Sequence, residues 1–265
     1  MGLELQVFAV VLGLLWGSFA NVCIYRWPRG GSVVKPGSHC FACQTPIRWY
    51  DNVPILAYGW LRGRCRSCKA SFSPRYLLVE ALTGALFGVA WWFTMGTGGL
   101  LQSFEVRVIE FVTYAGFVWV MVVVAFIDVD TKLILNKITI PSIPIFYGLS
   151  LLNHRWWEGL VGAAVGYGVP WLIGEIYLRV RKREGLGLGD GMLLAVVGAL
   201  LGWKGVVVSL FGGSVLGSII GIIVLARSRQ QIMQSELPFG PFLAAAAVFY
   251  LFAEPWLVLQ FRPLL

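Results

Sequence analysis

Residues 121–128 read Met-Val-Val-Val-Ala-Phe-Ile-Asp, an apolar run that ends on a carboxylate. A second stretch has the reverse order: Gly185-Leu186-Gly187-Leu188-Gly189-Asp190 leads into the apolar Met192-Leu193-Leu194-Ala195. One acid therefore closes an apolar segment and another opens one. Long apolar segments are membrane spans. Carboxylates at their ends are costly to keep out of water, and such groups are functional candidates by default. Two close carboxylates can share one proton and activate a water, the chemistry of aspartic proteases.

Composition agrees with a membrane setting. The chain has 265 residues, of which 58% are hydrophobic and only 13% charged, with a mean hydropathy of +0.76. These values exclude an ordinary soluble globule. The net charge of +8 brings nucleic acid to mind, but no nucleic-acid motif accompanies it. Basic loops on one side of a membrane account for it better. Leu5 to Val22 has the length of a signal peptide. It lacks a basic start and a small-x-small cleavage site, so it reads as a retained first span.

The expected fold is an all-α polytopic membrane protein with about eight transmembrane helices. They are placed near 4–23, 77–96, 108–127, 137–152, 157–178, 190–202, 205–226 and 240–258, with a tight turn at Gly202-Trp203-Lys204-Gly205 between the sixth and seventh. The organisation is then a first span (1–23), a small zinc-binding segment (24–76) and a membrane domain (77–265). With the N-terminus outside, seventeen Lys and Arg fall in inner loops and four (Arg107, Arg155, Lys204 and Arg262) outside. That bias orients the chain and puts Asp128 and Asp190 on the same cytoplasmic side.

Segment 24–76 is too short and too rich in Gly, Pro and Arg to build much of a core, and chains of this kind rely on metals or disulfides. It carries Cys40-Phe41-Ala42-Cys43 and Cys65-Arg66-Ser67-Cys68. Two CxxC pairs at this separation read as a four-thiolate Zn2+ site. Two disulfides are the competing reading, and a reducing cytoplasmic side argues against them. Four protein ligands leave no open position, so the role is structural. Cys23, the fifth cysteine, reads as packing, and His39 is a redundant neighbour of Cys40.

Taken singly, each aspartate has a bland alternative. Asp128 can be a solvated helix end, which suits Asp130 better, and Asp190 can be an N-cap. The alternating glycines before Asp190 resemble a nucleotide-binding loop, but such loops follow a strand, and the flanks here are membrane helices. Glu80, early in the second span, and Glu175, inside the fifth, are weaker candidates that can pair with loop arginines. His154 lies in an outer loop.

Taken together, the motifs resemble the bacterial type IV prepilin peptidases, which are leader peptidases and N-methyltransferases. The likeness runs nearly end to end: Gly17-Ser18-Phe19-Ala20-Asn21-Val22, Asp51-Asn52-Val53-Pro54, Arg62-Gly63-Arg64-Cys65, Ser73-Pro74-Arg75-Tyr76, Phe126-Ile127-Asp128, Gly187-Leu188-Gly189-Asp190 and Pro238-Phe239-Gly240-Pro241-Phe242-Leu243-Ala244. The resemblance implies a GxGD intramembrane aspartyl protease of the bacterial inner membrane, with Asp128 and Asp190 catalytic. Its substrates would be type IV prepilins or pseudopilins, cut after a Gly. It further implies N-methylation of the new terminus, usually Phe, with S-adenosyl-L-methionine as donor. Gly63 and Glu80 are the candidates for holding that donor. Membrane lipid is an expected partner and nucleic acid is not.

Two positions depart from the family pattern. Met192 stands where Lys is usual after the second aspartate, and residues 131–136, Thr-Lys-Leu-Ile-Leu-Asn, lack the usual Pro. Two other function classes are a proton-coupled transporter and a non-enzymatic zinc scaffold of a pilus or secretion machine. The first predicts inverted repeats with broken helices in both halves, a symmetry the sequence does not show. The second makes both aspartates dispensable.

Overall fold

The computed structural model describes residues 3–97, 103–153, 156–182, 187–227 and 237–261. His154, Arg155, Arg183, Gly185, Leu186, Arg229 and Arg262 lie outside the described residues. The helices are α1 (Leu3–Arg26), α2 (Leu56–Trp60), α3 (Arg75–Trp91), α4 (Phe104–Thr131), α5 (Asn136–Ser150), α6 (Trp156–Arg181), α7 (Leu188–Arg227) and α8 (Gly240–Phe261). Among the described residues, extended pairing is confined to two isolated bridges, His39–Pro46 and Arg64–Ser71.

Among the described residues, five helices are long and apolar enough to cross a membrane: Leu3–Arg26, Arg75–Gly96, Phe104–Thr131, Trp156–Arg181 and Leu188–Val224. The remaining expected spans take other forms. Helix α5 has 15 residues and holds Pro141 and Pro144, and the apolar helix Gly240–Glu254 is also short. The stretches 190–202 and 205–226 both lie in α7, which is broken at Gly202 (φ 70°, ψ −177°). The expected turn over residues 202–205 is thus a break at one residue, where glycine adopts a positive φ without steric cost.

The chain forms two compact units, Met1–Val123 and Val124–Leu265. In the first, α1 lies directly on α3. Ala9, Gly13, Gly17 and Ala20 form a buried small-residue stripe on α1. A Cβ on Gly17 would stand 2.7 Å from the Cα of Glu80, and one on Gly13 2.7 Å from the Cβ of Phe87. Close backbone approach through small residues is how membrane helices gain dispersion contact when the hydrophobic effect gives no drive. At the side of α1, Trp119 donates its indole N–H to the Trp16 carbonyl at 3.0 Å and stacks on Phe19.

In the second unit, α6 meets α7 along Gly159, Gly162, Gly166 and Pro170. A Cβ on Gly159 would lie 2.8 Å from the Ala199 carbonyl, and side chains on Gly162, Gly166 or Gly198 would overlap the facing backbone. Leu193, Leu194, Val196, Leu243 and Leu251 form a fully buried core. This packing fixes the first turn of α7, where Asp190 sits.

Candidate active site

Asp128 occupies the last turn of α4 and is 5% exposed. The helix stops just beyond it: Lys132 takes φ 54° and donates its N–H to the Asp128 carbonyl at 2.8 Å. A carboxylate at a helix C-terminus faces the negative end of that helix dipole. The start of α8 offsets this. Gly240, the first residue of α8, donates its N–H to Asp128 Oδ2 at 2.9 Å. Helix N-termini present free N–H groups and partial positive charge to anions.

A side chain at that contact must push the carboxylate aside, since a Cβ on Gly240 would be 2.7 Å from Asp128 Oδ2. Ile134, in the link between α4 and α5, joins the elements. Its Cδ1 lies 3.3 Å from the Gly240 Cβ position, and its Cβ lies 2.9 Å from that of Gly189. One side chain thus touches the start of α8 and the residue before Asp190. Asp190 is half-buried in the first turn of α7, and its backbone N–H donates to the Gly187 carbonyl at 3.1 Å. It is therefore inside the helix and not its N-cap. The two carboxylates are near enough to interact electrostatically. Asp130 is exposed, and Glu175 pairs with Arg179 at 2.7 Å one turn along α6.

The four cysteines of the CxxC pairs converge. All four Sγ atoms lie within 4.8 Å of one another, with Cys40–Cys68 at 3.8 Å and Cys43–Cys65 at 3.9 Å. A tetrahedron of sulfurs at the Zn–S distance of about 2.3 Å has edges of about 3.8 Å, so the donor set fits zinc. None of the five cysteines is bridged, as these separations require. The cluster is built from one hairpin made twice. Cys40 and Cys65 each receive an N–H from four residues on (Gln44 and Lys69) and donate to the fifth (Thr45 and Ala70). Gln44 and Lys69 share a positive φ, 58° and 60°.

The thiols differ in acidity. The Thr45 hydroxyl and backbone hold Cys43 down to about 6. At Cys68 the Ala70 N–H works in the same direction, but burial and the neighbouring thiols push it up to about 11. His39 is not part of the cluster, its Nδ1 facing the Gly37 carbonyl at 3.1 Å.

Glu80 and Gly63 line one cleft, formed with Ser18, Tyr25, Tyr58 and Tyr76 among others and enclosing about 160 Å³. Glu80 Oε2 accepts the Ile55 N–H at 2.8 Å, and Ser18 also hydrogen-bonds Glu80. Gly63 has φ 63°, and a Cβ there would be 2.7 Å from the Tyr58 ring. The cleft wall is braced by Arg66, which grips Asp51 through Nε (2.8 Å) and Nη2 (2.6 Å). That guanidinium holds the Asp51 carboxyl below its usual range.

Several contributors carry no isolated signal in the sequence. Ile55 is one: a β-branched residue at φ 60°, ψ −53° is a strained turn, and its N–H is spent on Glu80. Ile134 and Ser18 are others. Gly240 was legible only inside the Pro238–Ala244 motif.

Comparison with known proteins gives the family of the chain. Residues 11–94 match the Bacterial Peptidase A24 N-terminal domain, and residues 115–222 match the Type IV leader peptidase family. The chain is 34% identical to a prepilin leader peptidase/N-methyltransferase of Aeromonas hydrophila, covering 92% of this chain and 90% of that one. It is 34% identical to one of Neisseria gonorrhoeae (90% and 87%) and 35% identical to one of Pseudomonas putida (90% and 87%). No solved structure matches. With likeness of this degree over nearly the whole length, and an A24 N-terminal match ahead of the peptidase match, the chain belongs to the type IV leader peptidase family.

Proposed function

We propose that this chain cuts the basic leader from type IV prepilins or pseudopilins after a Gly, with Asp128 and Asp190 as the catalytic pair, and then N-methylates the new terminus. The observation that supports the peptidase reading best is the wedge of Ile134 between Gly189 and Gly240, with Asp128 held by the Gly240 N–H. One carboxylate, ionised, takes a proton from the attacking water. The other, protonated, donates to the scissile carbonyl oxygen. Like charges a few ångströms apart titrate as a unit, so the pair shares the proton between them.

The zinc site has a structural role in this reading. Cys40, Cys43, Cys65 and Cys68 hold Zn2+ and tie the two hairpins together, which fixes the wall of the cleft. The cleft takes S-adenosylmethionine. When bound, that group supplies an electrophilic methyl on a sulfonium. Glu80 offers the carboxylate that a cationic ligand needs, aromatic residues offer faces to a heterocycle, and Gly63 lets Tyr58 close against the backbone.

The topology proposed is eight crossings in the bacterial inner membrane, with α5, the two halves of α7 and α8 as shorter spans. Residues 24–76 form the zinc segment and 77–265 the protease domain, both with their functional groups cytoplasmic. The test is cleavage of a prepilin by membranes holding the wild type, Asp128→Asn, Asp190→Asn or Asp130→Asn. The first two substitutions should abolish processing, because removing one member of a unit costs nearly as much as removing both. Asp130→Asn should keep most of it. Normal processing by Asp190→Asn refutes the assignment.

A further inference from the structure

A second cavity adjoins the first. It has a volume of about 300 Å³ and is bounded by Leu15, Phe19, Val33, Val34, Pro36 and Gly37. Ser18, Val22, Arg26, Ser38 and Asn52 line both cavities, so the two share a wall and not merely a neighbourhood. Their characters differ. The Glu80 carboxylate lies on the first side only, while the second opens beside Leu15 and Phe19, which are exposed on the candidate span α1. Its roof is a built structure. The Arg26 guanidinium donates to the carbonyls of Ser32, Pro36 and Gly37 at 3.0, 2.6 and 3.1 Å, which pins the loop over the opening.

We propose that this second cavity is the port for the methyl acceptor: the apolar, amine-terminated end of the cut pilin, entering from the membrane side of α1. The proposal rests on the reading of the first cleft as the donor site. The chemistry argues for two openings. In the transfer the amine lone pair bonds the methyl carbon as the carbon–sulfur bond breaks, its electron pair staying on sulfur. The attacking nitrogen must come in line, from the side opposite the sulfur, so donor and acceptor need separate approaches to one point. Ser18 lines both cavities and hydrogen-bonds Glu80, so the two approaches border the same side chain. Glu80 there meets the incoming ammonium and takes the proton it releases. The acceptor's apolar residues match Leu15, Phe19 and Val34 at the port; the charged residue lining it, Arg26, is engaged by the carbonyls of Ser32, Pro36 and Gly37, and the acceptor's positive charge is met beyond it, at Glu80.

Gly37 provides a clean test. A Cβ there meets nothing within 4 Å and its φ is not in the left-handed region, so Gly37→Trp sets an indole at the rim of the port without disturbing packing. The probe is a synthetic peptide beginning with a free-amine Phe followed by apolar residues, with purified full-length protein in detergent. Gly37→Trp should lower methylation of the peptide at least tenfold. S-adenosylmethionine binding by calorimetry and prepilin cleavage should change less than twofold. A photo-crosslinking residue in place of Val34 should label the peptide. Unchanged methylation by Gly37→Trp, with donor binding intact, overturns the proposal, as does crosslinking to lipid with none to peptide. Loss of donor binding by Glu80→Gln together with Gly63→Leu checks the first cleft separately. If neither affects donor binding, the donor reading fails, and the port proposal fails with it.

Discussion

Gly240→Ala isolates what the start of α8 does for Asp128. The added Cβ would sit 2.7 Å from Oδ2 and 3.1 Å from the carboxyl carbon of Asp128. Ordinary contact begins at roughly 3.4–3.5 Å, so the carboxylate must retreat by roughly 0.7 Å. The atom displaced is the far end of a side chain, which can turn about χ2. The protein should therefore fold and insert normally. What is lost is the 2.9 Å hydrogen bond from Gly240 N–H and the position of the carboxylate. A hydrogen bond to a charged group contributes about 1.5–3 kcal/mol, and a misplacement of about 1 Å can cost about a hundredfold in rate. Prepilin processing should fall roughly ten- to hundredfold in kcat. The assay is time-resolved leader cleavage in detergent, with thermal unfolding as the check on folding. Wild-type kcat from a folded Gly240→Ala protein would show that the α8 contact has no part in catalysis.

Three further outcomes follow from the first unit. Cys→Ser at 40, 43, 65 or 68 should drop bound zinc from about one per chain, read by elemental mass spectrometry, and expose residues 24–76 to protease. Gly63→Leu and Glu80→Gln should each cut methylation of processed pilin at least tenfold, scored by mass on its first residue, while cleavage continues; full methylation by both would place the donor elsewhere. Asp51→Asn removes the Arg66 bridge and its stabilising contribution, the guanidinium being half-exposed and the carboxylate largely covered. Because Arg66 lowers the folded Asp51 value, that contribution is complete above about pH 4 and is lost as pH falls through the lowered value. The variant should thus be more labile than wild type at pH 7, and the gap should close in strong acid, as followed by hydrogen exchange of the zinc segment.

The sequence revealed the parts whose chemistry is local. Two CxxC pairs carry their own geometry, and their sulfurs meet at the edge lengths a tetrahedral ion requires. The catalytic candidates were visible because a carboxylate at the end of an apolar run is costly wherever it lies. Helix content was visible too, since long continuous apolar runs read as spanning helices. Span length was harder to read. Pro141 and Pro144 shape α5, and one glycine angle at position 202 breaks α7 where a four-residue turn was expected. Such features depend on single backbone torsions that hydropathy does not encode. The bond from Ile55 N–H to Glu80 spans separate segments and rests on a strained turn, so no local pattern announces it.

What unites the two sites is how each glycine is used. Gly240 and Gly189 admit Ile134 and the Asp128 carboxylate, Gly63 admits the Tyr58 ring, and Gly17 admits the backbone of Glu80 itself. In a bilayer, apolar packing gains little from excluding water, so helices are positioned by close contact and hydrogen bonds. A functional carboxylate on such a helix is aimed only as well as the helix is seated. Placing a residue without a side chain directly against each acid, or against the helix that carries it, turns backbone contact into side-chain placement. The acids alone therefore under-describe both sites. Asp128 depends on Gly240, and Glu80 depends on Gly17 and on the strained Ile55. A substitution at any of these supports should act on chemistry through position while leaving every ionisable group in the chain intact.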